Sequence, residues 1–108
     1  MDSETAYKLI REYRAAHYFV PDILWCDYEM KKRAAQQYAA DEICRLLLEQ
    51  PLGDPFEIIG DYAISYYFNA LCANETQKEL FNMSADAAEE LWSYLADYVE
   101  KLERRKDK

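Results

Sequence analysis

The side chains that could carry out chemistry in this sequence are one histidine, three cysteines and twenty-one carboxylates. His17 could act as a base or a metal ligand, but no carboxylate or second histidine stands at the helical spacings of metal sites around it. A Cys–His nucleophile would require His17 to fold beside Cys26, Cys44 or Cys72, and each of these thiols lies in an apolar or mixed helical stripe. The pattern favours packing roles instead, with a partly buried ring for His17 and core positions for the thiols.

Paired carboxylates could perform acid–base catalysis, but the obvious pairs in this chain do not converge. Asp41–Glu42 and Glu89–Glu90 are sequence neighbours, which point in different directions on a helix. The two glycines stand seven residues apart, outside any phosphate-binding motif. The sequence therefore predicts no catalytic residue, no metal site and no cofactor, and it favours a protein that is not an enzyme.

The sharpest pattern among the carboxylates is a stripe along the last predicted helix. At about 100° per residue, five carboxylates fall within one arc of roughly 100°, opposite the apolar positions of the same helix. We call these residues the acidic stripe: Asp86, Glu89, Glu90, Asp97 and Glu100. Such a row of charges can bind a basic partner, and an ordinary solvated helix face is the alternative interpretation.

The charge along the chain is uneven. The net charge is −8, of which residues 1–33 contribute zero, residues 34–100 contribute −11 and residues 101–108 contribute +3. An acidic body argues against direct binding of nucleic acid, which requires a basic face. It is compatible with a basic protein partner, although plain solubility is the simpler explanation of the same charge.

Three classes of function remain open at this point. The first is a non-enzymatic interaction protein that binds a basic partner through carboxylate- and tyrosine-rich helices, in its sharper form a nucleic-acid mimic that inhibits a DNA- or RNA-handling protein. The second is a structural protein whose copies assemble through helix faces, so a homo-oligomer stays open. The third is a bundle with a buried pocket for a small ligand or for catalysis. Ten tyrosines suit the first class because interface cores are enriched in aromatic side chains, but helical cores also place tyrosines at their edges.

Helices must position all of these groups. A chain of 108 residues fits one domain over 1–108 and can bury a core without disulfides or metals. Two glycines and three prolines supply too few turns for a β-sandwich. We therefore predict an all-α fold, a compact bundle of four main helices plus one short helix. The predicted helices span residues 4–18, 22–49, 55–73, 75–81 and 85–105, and a short basic tail covers about 103–108.

Local signals set the ends of these helices. Asp54 and Pro55 fit the cap and the first position of the third helix, while Asn74 and Ser84 fit the caps of the short and last helices. The third helix is apolar almost all round, which predicts the interior of the domain. The second helix carries two apolar stripes, which predict two packing partners, and its continuity through 31–33 stays open. The first stripe comprises Ile23, Cys26, Met30, Ala34, Cys44 and Leu48, and the second comprises Leu24, Tyr28, Ala35, Ala39 and Leu46.

The sequence also suggests a cellular setting. Its charged N-terminal residues lack the apolar region of a signal peptide. The most apolar stretch, 56–73, contains Glu57 and Asp61, so it resembles a buried helix more than a membrane span. Three cysteines without a C-x-x-C pair indicate reduced thiols. We therefore expect a cytoplasmic protein that does not contact a membrane.

Overall fold

Four helices form the part of the chain that the computed structural model describes, residues 1–18 and 27–106. They are α1 (Ser3–His17), α2 (Asp27–Glu49), α3 (Pro55–Cys72) and α4 (Glu75–Lys106). No strand occurs within these described ranges. The all-α prediction is therefore confirmed, while residues 22–26 of the predicted second helix lie outside the described residues.

The predicted short helix is wrong, because it is the beginning of α4. Asn74 does act as a cap, since its side-chain oxygen accepts a hydrogen bond from the Gln77 backbone N–H at 3.0 Å. Ser84, expected to cap a separate last helix, is instead buried within α4 and only 5 % exposed. No glycine or proline interrupts Glu75–Lys106. A serine costs a helix only a few tenths of a kcal/mol, roughly, so packing around Ser84 decides in favour of continuity.

The start of α3 follows the sequence prediction. Asp54 accepts a hydrogen bond from the Phe56 N–H at 3.0 Å, and the proline that follows Asp54 occupies the first helical turn. The preceding turn is tight, because a Cβ on Gly53 would lie 3.2 Å from the Gln50 carbonyl oxygen. The buried Ser3 hydroxyl donates to that same carbonyl at 3.0 Å. The first turn of α1 therefore holds the turn between α2 and α3 in place.

Side chains of α2 hold the carboxyl end of α1. Gln37 donates to the Tyr18 carbonyl at 2.7 Å, and Arg33 donates to the His17 carbonyl. These bonds satisfy carbonyl groups that a helix end leaves without intrahelical partners. The helix α2 runs without a break through residues 31–33.

The two stripes predicted for α2 are each confirmed only in part. Cys44 of the first stripe is buried, but its other described members, Met30, Ala34 and Leu48, are exposed. Ala35 and Ala39 of the second stripe are buried, whereas its Tyr28 is exposed. One face is buried instead, and it packs mainly on α1 and α4. Its residues are Ala35, Ala39, Ala40, Ile43, Cys44 and Leu47.

The prediction that α3 is interior throughout is also wrong. Its first half is buried, with Ile59 fully inaccessible to solvent. Farther along, Ile64, Phe68 and Leu71 are 66 %, 67 % and 77 % exposed. The helix α3 packs extensively on α4 and little on α2, so no described helix covers this face. We call these three residues the apolar ridge.

The longest helix sets the dimensions of the molecule. The 32 residues of α4 span about 48 Å at 1.5 Å per residue, and the longest extent of the molecule is 48 Å. Leu91 and Leu95 in its middle are fully buried. Among the described residues, no helix combines the length and the apolar character needed to cross a membrane.

Candidate functional site

The acidic stripe lies on the surface of α4. All five predicted carboxylates, at Asp86, Glu89, Glu90, Asp97 and Glu100, are exposed. Because α4 starts at residue 75, two more exposed carboxylates join the same arc of the helix, Glu75 and Glu79. The extended acidic stripe, defined as these seven residues, is roughly 38 Å long at 1.5 Å per residue.

Three carboxylates of the stripe are held by neighbouring side chains. The Tyr67 hydroxyl of α3 donates to Asp86 at 2.5 Å, and the Tyr13 hydroxyl of α1 donates to Glu90. Partial burial, and then the bond to Asp86, raise the pKa of Tyr67, so this hydroxyl remains a donor at neutral pH. Glu100 pairs with Arg104 one turn farther along α4 at 2.5 Å. The middle of the stripe is therefore flanked by α1 on one side and α3 on the other.

A groove runs between α3 and α4 beside the stripe. Its deeper part encloses about 370 Å³, and its lining is mostly apolar on the α3 side. The α4 side contributes Trp92, Ser93 and the stripe residue Glu89. The α3 side contributes Ile59, Gly60, Ala63, Ile64 and Tyr67.

The groove continues toward the turn between the two helices. Ile64 and Tyr67 also line a second hollow, together with Phe68 and Leu71 of the apolar ridge. Lys78 and Asn82 border this second hollow on the α4 side. From Ile59 to Leu71 the α3–α4 groove, defined as both hollows together, is about 18 Å long at 1.5 Å per residue.

Two residues shape the deeper part of this groove. Gly60 lies in the interior of α3, and a Cβ at this position would meet no atom within 4 Å. Trp92 is 42 % exposed, and its ring contacts Phe56 edge-to-face with the centroids 5.2 Å apart. The glycine keeps the floor of the groove open, and the contact with Phe56 fixes the tryptophan ring at its rim.

The tyrosines divide between the core and the surface. Tyr62 is buried, and Tyr7 and Tyr94 are half-buried at the edge of the core. Tyr28 and Tyr38 are about half exposed on α2, away from the α3–α4 groove. Tyr13 and Tyr67 are the two tyrosines whose hydroxyls donate to carboxylates of the acidic stripe, and Tyr67 also lines the groove.

The predicted packing roles of the histidine and the thiols hold only in part. Cys44 is buried as predicted, whereas Cys72 at the end of α3 is exposed. His17 is exposed rather than partly buried, with its ring centroid 4.3 Å from that of Tyr13. Cys72 and His17 are the last residues of their helices, and neither side chain belongs to the shared core cluster. Cys26 lies outside the described residues.

The two described thiols are expected to react at very different rates. Burial raises the pKa of Cys44 to about 11, so little thiolate forms at pH 8 and reagents cannot reach it. Cys72 is exposed and accessible. In a Cys26→Ser background, iodoacetamide should modify Cys72 at least about tenfold faster than Cys44, as read by peptide mass spectrometry. Equal modification rates of the two thiols in the folded protein would contradict the burial of Cys44.

Sequence reasoning found the acidic stripe but missed the α3–α4 groove. The groove forms on the face of α3 that no described helix covers. Helical periodicity cannot identify this face in the sequence, because α3 is apolar on nearly all sides. One signal was available, a glycine in the middle of a predicted helix, which usually has a packing or functional reason.

No protein-family model, curated protein or solved structure matches this chain. Within the described residues, no group of three or more His, Cys, Asp and Glu side chains is arranged to hold a metal ion.

Proposed function

We propose that this chain is a non-enzymatic interaction protein that binds a basic protein partner through the acidic stripe. The observation that supports this proposal is the placement of seven exposed carboxylates on one face of a single uninterrupted helix. Charges of one sign in a row create a potential that steers oppositely charged partners toward that face.

The bases of the surrounding segment leave most of this charge unneutralised. Residues 34–100 contain only two bases, Arg45 and Lys78. Arg45 is held within α2 between Glu42 and Glu49, at 2.8 and 2.7 Å. The charge of Arg45 is therefore neutralised within α2 and does not offset the carboxylates of α4. A basic partner could supply positive charge to the acidic stripe.

The narrower hypothesis of a nucleic-acid mimic requires more charge than α4 alone carries. The extended acidic stripe presents about one carboxylate per 6 Å, whereas duplex DNA presents about one phosphate charge per 1.7 Å of its axis. We therefore propose the broader function and leave mimicry as a prediction. Competition between this protein and duplex DNA for the identified partner would test it.

Self-assembly through helix faces is a second candidate function. The apolar ridge of Ile64, Phe68 and Leu71 favours it, because large exposed apolar patches mark interaction sites. Sedimentation velocity over a hundredfold range of concentration distinguishes the two, since a partner-binding monomer shows no concentration dependence. For either function we propose a reducing cytoplasm as the setting, because an exposed thiol such as Cys72 persists there.

Reversal of stripe charges is expected to weaken binding of the partner. Glu79→Lys/Glu89→Lys/Asp97→Lys should slow association by about tenfold or more and change dissociation less, because it removes long-range attraction. Raising the salt from about 0.05 to 0.5 M should weaken the wild-type complex by screening. The partner is identified by affinity purification and mass spectrometry, and the rates are measured by surface plasmon resonance.

A matched control separates the stripe from net charge. Glu12→Lys/Glu49→Lys/Asp61→Lys makes the same change in total charge at exposed positions on the other three helices. This control should keep the wild-type association rate to within about threefold, because local fields decay over about 8–10 Å at physiological salt. Equal slowing by both variants would show that overall charge matters and the stripe does not.

A further inference from the structure

We propose that the α3–α4 groove binds the apolar face of an amphipathic helix, rich in Lys or Arg, that the basic partner supplies. This proposal rests on the proposed function and specifies which kind of segment the protein recognises. It is carried by the apolar ridge, which no described helix covers, by Gly60, and by the carboxylates at the edge of the groove.

The apolar ridge and the rim of the groove are arranged for contact with another surface. Ile64, Phe68 and Leu71 recur at four- and three-residue spacing along α3 and are each at least 66 % exposed. Trp92 stands across the groove, held by its edge-to-face contact with Phe56. Aromatic and aliphatic side chains held in place lose little entropy on binding, so they suit a hydrophobic anchor site.

The packing of the described residues does not require a glycine at position 60. A glycine inside a helix is less favourable than an alanine, and no atom of the described residues lies close enough to exclude a Cβ here. Its effect is to leave the floor of the groove open beside Trp92. Small residues at such positions allow the backbone of another helix to approach closely, and an incoming helix would use this space.

The backbone of the groove favours a helix over an extended segment. Both walls are helices whose N–H and C=O groups are paired internally, so an extended peptide would find no sheet edge to pair with. A helix satisfies its own backbone and buries only side chains. Positions 60, 64, 67 and 71 on α3 follow the alternating four- and three-residue spacing of helices that pack side by side. An 18 Å groove accommodates about twelve residues of helix, or roughly three turns.

The charge beside the groove selects a basic helix over a second copy of this chain. At the Trp92 end of the groove, Glu89 lines the wall, and Tyr67, another lining residue, holds Asp86 next to it. Lys78 borders the other end of the groove, so the basic side chains of an incoming helix would lie at the Asp86 and Glu89 end. A second copy, with net charge −8, would bring its own Asp86 and Glu89 toward this edge, and like charges in an interface are costly. Lys or Arg side chains flanking an apolar stripe would instead lie beside these carboxylates.

A synthetic helix provides the test. The probe is a fluorescein-labelled peptide of about eighteen residues, with Leu at heptad positions a and d, Lys at e and g, and Ala elsewhere. A second peptide carries Glu in place of Lys. Fluorescence anisotropy with the full-length protein should show the Lys peptide binding at least about tenfold more tightly than the Glu peptide.

Two substitutions on α3 locate the binding site. Gly60→Leu fills the groove from its floor, and it should weaken binding of the Lys peptide at least tenfold while circular dichroism shows a folded protein. Ser65→Leu adds the same side chain on the α2 side of α3 and should leave the affinity unchanged. Phe68→Ser, at an exposed position, tests the same groove if Gly60→Leu does not fold.

The outcomes separate this proposal from the proposed function. If stripe reversal weakens binding of the Lys peptide but Gly60→Leu and Phe68→Ser do not, the groove proposal is wrong and the stripe function stands. If the groove substitutions abolish binding of both peptides equally, charge does not select the ligand, and both the basic helix and the proposed function lose support. Self-association that Gly60→Leu abolishes would make a second copy the occupant and overturn the proposal.

Discussion

Leu95→Asp is expected to abolish the cooperative thermal unfolding of this protein, whereas Leu71→Asp should preserve it. Leu95 is completely buried in the shared core of the four helices. The substitution removes an apolar side chain that contributes about 2–5 kcal/mol and places a carboxylate in an environment without water. The total cost is about 5 kcal/mol or more, comparable to the whole stability of an ordinary domain.

Leu71 is the matched control because it is the same residue in another helix. It is 77 % exposed on the apolar ridge, so an aspartate there stays in water. The free energy of unfolding of the Leu71→Asp variant should differ from that of the wild type by no more than about 0.5 kcal/mol. Circular dichroism at 222 nm during heating measures both variants. A cooperative melt of Leu95→Asp near the wild-type temperature would contradict the core, and unfolding of Leu71→Asp would contradict the exposed ridge.

These two leucines also show how far the sequence determines the fold. Both occupy apolar positions in predicted helices, and both were expected to be buried. Two of the three caps predicted from neighbouring residues alone are confirmed, since Asp54 and Asn74 form hydrogen bonds to the backbone within the first turns of their helices. Which apolar face becomes buried depends on the arrangement of all the helices, and that arrangement is not encoded locally.

Ser84 shows that a prediction from local sequence can also be wrong. Its local chemistry suits a helix cap, but a buried serine inside a helix is also acceptable when the surrounding residues pack well. Met83 and Ala85 are buried on either side of it. Tertiary packing therefore overrides a weak local preference, and the two helices predicted from the sequence become one.

The candidate site combines a predictable part with an unpredictable one. The acidic stripe was predicted because charged residues at helical spacing fall on one face wherever the helix lies. The α3–α4 groove required knowledge that α3 packs beside α4 and that the apolar ridge remains uncovered. The contribution of Gly60 to the groove becomes apparent only from the structure, in which no atom of the described residues lies within 4 Å of its Cβ position.

Stability is expected to fall steeply as the pH rises above about 10, where tyrosines ionise in an unfolded chain. Tyr18 and Tyr62 are 1 % and 8 % exposed. Burial raises the pKa of both phenols above the usual value. Above pH 10 the unfolded chain releases protons that the native state retains, so rising pH favours unfolding. The stability that the two protonated phenols contribute is fully present below pH 10, and it is lost as the pH rises toward their pKa values in the native state.

The two tyrosines together make this effect large. Each one lowers the free energy of unfolding by about 1.4 kcal/mol per pH unit above its unfolded pKa. Between pH 10 and 12 the pair therefore removes roughly 5 kcal/mol, which approaches the total stability of a small domain. Urea unfolding at pH 8, 10 and 11, followed by circular dichroism, measures the slope directly.

Removal of the two hydroxyl groups isolates their contribution. The Tyr62 hydroxyl is buried without a hydrogen-bond partner among the described residues, and that of Tyr18 lies 3.5 Å from the Ala87 carbonyl oxygen. Phenylalanine at both positions should therefore cost little stability at pH 7, because few favourable contacts are lost. Above pH 10 the double variant should lose stability about 2.7 kcal/mol per pH unit less steeply than the wild type. Tyr28→Phe, at an exposed position, should follow the wild-type curve. If the double variant shows the wild-type slope, the two phenols ionise in the native state, and they cannot then lie in the core between the helices.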